Sequence, residues 1–129
     1  MKTKHRALWA TLITIALNLA GCASEVRHTA TRFSPPNGER IAPITISGDI
    51  EVRLVSGYPS ILKAGSVWEY AGRIPEGVVY RVRNDVFMVE GANRHEAYCV
   101  INGSRVVGFF LPVEQAFIAI EPTISLVRQ

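Results

Sequence analysis

From Ile44 onward the sequence is cut into short apolar runs rich in β-branched and aromatic residues, with turn residues between them at roughly 8–12-residue intervals. No other feature restricts the fold as much. Residues 49–55 alternate, with Ile50, Val52 and Leu54 on one face and Glu51 and Arg53 on the other. Residues 78–83 alternate again, setting Val78, Tyr80 and Val82 against Val79, Arg81 and Arg83. A period of two is the mark of a strand with one buried face. Further runs occupy residues 44–46, 66–74, 86–90, 95–101, 105–111 and 116–120. Gly57-Tyr58-Pro59, Pro75-Glu76-Gly77, Asn84-Asp85, Gly91-Ala92-Asn93 and Pro122 separate or end them.

Asn102-Gly103 lies between two such runs and predicts a two-residue hairpin loop. That loop would pair Ile101 with Ser104, Cys99 with Val106, Ala97 with Gly108 and His95 with Phe110, leaving Tyr98 and Val107 on the other face. Residues 113–120 contain helix formers, but a strand or mixed turn suits the pattern better. The expected fold is all-β, a small antiparallel sandwich or partly open barrel. Trp68, Tyr70, Tyr80, Phe87, Phe109, Phe110 and Phe117 are the expected bulk of a thin core.

The start of the chain has a different texture. Lys2, Lys4 and Arg6 precede an apolar stretch over residues 7–17, too short for a spanning helix of about 20 residues. A basic start followed by a short apolar run is the pattern of a secretory signal. It ends in Leu19-Ala20-Gly21-Cys22. This tetrapeptide resembles the lipobox of bacterial lipoproteins. The resemblance implies a signal peptide over residues 1–21, cleavage before Cys22, diacylglycerol on the Cys22 thiol and a fatty acid such as palmitate on the new amine. Three acyl chains exceed the two signals needed for stable anchoring. Ala23-Ser24 after the cysteine resembles the outer-membrane default of such proteins, which places the remainder in the periplasm, held at the cell outer membrane.

Residues 22–43 combine polar residues with Pro35, Pro36 and Pro43 and sustain no period. They read as a lipidated N-terminus and flexible tether, reaching on the order of 25 Å as a random coil. Residues 44–129 are then the small β-rich periplasmic domain. No motif assigns that part to a characterised family.

The formal charge of +3 would suit a nucleic-acid binder. However, three of the cations precede the apolar stretch. Without Lys2, Lys4 and Arg6 the chain has 11 basic and 11 acidic residues. A neutral domain has no net attraction to phosphate, so no nucleic-acid partner is expected.

Catalytic signatures are sparse. There is no Walker loop, dinucleotide fingerprint, nucleophile elbow or zinc-protease helix. His95 and Glu96 are adjacent, but strand neighbours point to opposite faces and would not converge on a metal. Cys99 lies about 13 Å along the strand from His95, too far for activation. It reads as a small core residue, leaving Cys22 as the lipidated one. No enzyme activity, cofactor or metal is expected. Trp68, Tyr70, Arg73, Arg81 and Arg83 sit on neighbouring runs, and Arg with aromatic residues favours protein contacts. They form the candidate partner-binding patch. The resulting expectation is a membrane-anchored lipoprotein whose non-catalytic β-domain binds an envelope protein in an accessory or assembly role. The alternative is a small-ligand or cell-wall-binding module that uses Trp68, Tyr70 and Tyr98 as an exposed stacking platform.

Overall fold

The computed structural model describes residues 28–126. Cys22 and the lipobox lie outside the described residues. The described chain is all-β, as the period of two requires, and contains no helix. Its strands are β1 (Thr29–Ala30), β2 (Ile44–Thr45), β3 (Ile50–Arg53), β4 (Pro59–Leu62), β5 (Val67–Ile74), β6 (Gly77–Val82), β7 (Met88–Val89), β8 (His95–Glu96), β9 (Tyr98–Asn102), β10 (Arg105–Leu111) and β11 (Ala116–Ser125). Seven of them form one antiparallel sheet in the order β1-β11-β10-β9-β6-β5-β2. β3 with β4, and β7 with β8, form two small ladders.

The large sheet buries apolar residues on both faces. On the inner face Trp68, Tyr80, Val82, Cys99, Ile101, Val106, Phe109, Leu111, Ile118 and Ile120 pack against Val52, Leu54 and Leu62 of the β3–β4 hairpin and against Val89. Phe87 joins this core, edge-on to Trp68 and stacked on Phe109, with centroids 5.3 Å apart in each case. The outer face holds a smaller cluster of Ile74, Val79, Val100 and Phe110. Of the seven aromatic residues expected in the core, Trp68, Tyr80, Phe109 and Phe110 are buried, while Tyr70, Phe87 and Phe117 are partly buried against these clusters.

Segment 29–39, expected as free tether, instead crosses the outer face as a strap. β1 pairs Thr29 with Phe117 and Ala30 with Ala116. Ser34 then exchanges two 2.8 Å backbone hydrogen bonds with Arg73 on β5. Between these points Phe33 stacks on Phe110, with centroids 5.0 Å apart and planes 13° apart. The reason is apolar area: the outer cluster would otherwise face water, and Phe33 covers it. Gly72 makes the crossing fit, because a Cβ there would lie 2.4 Å from the Ser34 carbonyl oxygen and 2.6 Å from the Phe33 ring. Its φ of 150° is also one that side-chain-bearing residues rarely adopt.

Other expectations shift in detail. The β9–β10 hairpin pairs Asn102 with Arg105, so its loop is Gly103-Ser104 rather than Asn102-Gly103. Gly103 takes φ 66° at the first loop position, where a mirror-type turn wants glycine. The ladder sets Ile101 opposite Val106. After a bulge at Val107 it sets Cys99 opposite Phe109 and Tyr98 opposite Phe110. Tyr98 and Val107 do share the outer face. β7 pairs with β8 in a short ladder of its own. β4 begins at Pro59, which was expected only to end a strand. β11 runs past Pro122 to Ser125, and the proline sits where the β10–β11 register breaks and no ladder donor is required.

Candidate functional site

The candidate patch divides among three environments. Trp68 is 2% exposed, and its indole N–H donates to the Ser66 hydroxyl at 2.9 Å. It is a core residue and not a surface anchor. Tyr70 and Arg73 converge on Glu39 of the strap. The Tyr70 hydroxyl donates to Glu39 Oε1 at 2.6 Å, and Arg73 Nη2 donates to Oε2 at 2.7 Å. The Arg73 hydrogen bond, then that of Tyr70, hold the Glu39 carboxyl below its ordinary range. The same contact with Glu39 pushes the Tyr70 phenol up. Arg81 and Arg83 lie on the outer face. Arg81 stands over the Tyr98 ring at 5.8 Å, and Arg83 pairs with Glu69 at 2.7 Å. The arginines therefore serve strap and cross-strand pairing. Trp68 and Tyr70 pack toward the inner core and Tyr98 toward the outer cluster, so the three rings do not share one face.

A different surface stands out. A groove of about 510 Å³ runs between β4 and segment 85–88. Trp68 and Val82 form its base. Ile61 rises on one wall, 47% exposed, and Val86 on the other, 58% exposed. Glu51, Lys63, Asp85 and Arg94 place two acids and two bases on its lining. Among the described residues β4 pairs only with β3, so its second edge borders the groove. Asp85 Oδ1 accepts the Val86 backbone N–H at 2.7 Å, which fixes the wall opposite β4. Sequence reading missed this site because it treated Pro59 as the end of a strand. The available signal was the alternation of Ser60, Ile61 and Leu62, which puts Leu62 in the core and Ile61 in solvent.

One polar pair also escaped the sequence. His95 Nδ1 lies 2.6 Å from Glu114 Oε2, in the turn between β10 and β11. In the expected register His95 faced Phe110. The observed register slips by three residues beyond the Val107 bulge and brings β8 to that turn. Glu114 Oε1 is shielded from solvent without a hydrogen-bond partner among the described residues. The pair lines none of the grooves described here. Cys99 is buried and unpaired, and burial pushes its thiol up to about 12. A thiol of that kind is protonated at neutral pH and a poor nucleophile.

Among the described residues no three metal-ligating side chains cluster, and no helix is long and apolar enough to cross a membrane. Comparison with protein-family models, curated proteins and solved structures finds no match to this chain.

Proposed function

We propose that this chain is a lipid-anchored protein of the bacterial cell envelope. In this reading residues 1–21 are removed, Cys22 carries the lipid, and the β module binds a protein partner without catalysis, facing the periplasm from the outer membrane. The partner lays an extended segment along the free edge of β4, as in strand addition. The observation that carries the reading is the combination of that unpaired edge with the adjoining groove. An edge supplies backbone donors and acceptors, while a pocket beside it selects side chains. The balanced charges of the lining favour a near-neutral peptide over a polyanion.

The test is photo-crosslinking from position 61 of the intact lipoprotein in its own envelope. One discrete protein adduct is expected. It should disappear with Val86→Asp, which places a charge on the opposite wall at a site too exposed to disturb folding. The reading fails if the adduct survives that substitution, or if a crosslinker at Val113, 78% exposed and outside the groove, captures the same protein equally well. Anchoring is tested separately with Cys22→Ser, which should abolish palmitate labelling. Undiminished labelling would reject the lipid assignment.

A further inference from the structure

A second groove, of about 500 Å³, is shared by parts of the chain that the sheet order keeps apart. β2 ends the seven-stranded sheet on one side, and β11 is next to last on the other. Thr45 of β2, Ser125 of β11 and Ser104 of the β9–β10 loop all line this groove. Its buried lining is Ile46, Tyr80 and Ile101, each 5% or 6% exposed. Ile50 and Leu126 add partly buried aliphatic surface. Among the described residues no charged side chain lines it.

Tyr80 is the residue that packing alone leaves unexplained. Its ring belongs to the inner core, yet its hydroxyl hydrogen-bonds to none of the described residues. Nor is that hydroxyl sealed from solvent, as Ser56 Oγ and Glu114 Oε1 are. It opens on the groove that Tyr80 lines. Buried polar groups nearly always have partners, and a phenol can donate one hydrogen bond and accept another. Burial pushes the Tyr80 phenol up, so it stays a neutral donor. The rim adds backbone groups. The Arg83 N–H donates to the Val67 carbonyl at 2.8 Å, which turns the backbone of Val67 toward β6. Thr45 pairs with Val67 in the register, so its own N–H and carbonyl face off the sheet edge.

We propose that this groove binds an uncharged small amphiphile. Its aliphatic body lies on Ile46, Ile50, Ile101 and Leu126, and its amide, carbonyl or hydroxyl head meets the Tyr80 hydroxyl. Small-molecule sites span about 300–1,000 Å³ and combine an apolar lining with a few polar groups, as this one does. An ionic head would lose its water with no opposite charge in the lining to replace it. The site is separate from the β4 groove and requires neither a partner protein nor a lipid anchor.

The test uses the chain from position 22 onward, which retains every described residue. It carries Cys22→Ser, so that neither detergent nor an acyl chain competes for the groove. The probes are octanamide, octanoate and octylammonium, which share an aliphatic length and differ in the charge of the head. Titrations followed by amide chemical shifts should show saturable octanamide binding centred on Thr45, Ile101 and Ser104. Each ion should bind at least about tenfold more weakly. Tyr80→Phe keeps the ring in the core and should weaken octanamide about three- to tenfold, the worth of one neutral hydrogen bond. Absent saturation, or shifts centred instead on Ile61 and Val86 in the β4 groove, would overturn the proposal. So would equal binding of the ions, or full octanamide affinity in Tyr80→Phe. Phosphatidylcholine vesicles present acyl chains and ester carbonyls from a bilayer. Alone they should leave the amides of Thr45, Ile101 and Ser104 unshifted. Shifts there would assign the site to membrane lipid and overturn the free-ligand reading.

Discussion

Replacing Phe33 by alanine tests whether the strap is part of the folded module. The ring is partly buried, stacks on Phe110 at 5.0 Å and contacts the outer cluster of Ile74, Val79 and Val100. Truncating a fully buried phenylalanine costs about 3–5 kcal/mol. Half of that, about 2 kcal/mol, is the share for a ring with one side in solvent. A stacked pair adds roughly 0.5–1.5 kcal/mol beyond area. The expected loss is therefore about 2.5–3.5 kcal/mol. At a urea slope of about 1–1.5 kcal/mol per molar, suited to a small domain, the midpoint should fall by roughly 2 M with an unchanged slope. Arg32→Ala, at the exposed neighbouring position, should stay within about 0.5 kcal/mol. If Phe33→Ala also stayed within that range, the strap would be shown to contribute nothing and the outer cluster to tolerate water. A truncation starting at Ile44 should lose at least as much as Phe33→Ala, because it removes the Ser34–Arg73 bonds and the Glu39 contacts as well.

Two further outcomes follow from the same region. Gly72→Ala puts a methyl group 2.4 Å from the Ser34 carbonyl oxygen, a backbone atom that cannot swing aside. It should destabilise by about 1–3 kcal/mol, as overpacking does, and should speed trypsin cleavage after Arg32. The Glu39 carboxyl is held below its ordinary value of 4.5 chiefly by Arg73. A depressed folded pKa means stabilisation that is complete above the unfolded value and fades as pH falls through the folded one. Any stability gap between the wild type and Glu39→Gln at pH 7 should therefore close in urea titrations below pH 4.5. A gap that widened on acidification would contradict the assignment.

The fold class could be read from the chain because alternation is a local property. Residues 49–55 and 78–83 carry their faces in their own spelling, and β3 and β6 fall on them. Pairing was less readable. The one-residue move of the 102–105 loop and the bulge at Val107 depend on how Gly108 is approached by Ile118 from β11, a contact between strands. The strap was unreadable for a related reason. Nothing around Phe33 announces a strand, and its partner surface exists only after β5, β6, β9 and β10 have assembled. The division of the arginine–aromatic patch among separate environments was unreadable because composition does not register distance. Glu39 neutralises Arg73 from 34 positions away in the chain. The β4 groove went unseen because a proline was taken as an ending, although an edge strand tolerates one.

The placement of β1 also bears on the order of assembly. Thr29 and Ala30 are among the earliest residues of the module to be made, yet their partners Phe117 and Ala116 belong to its last strand. Contacts so distant along the chain close late in folding. For a polypeptide threaded through a translocation channel head first, the leading segment would have no place to settle until the trailing one emerged. Seating of the strap would thus mark completion of the whole β structure.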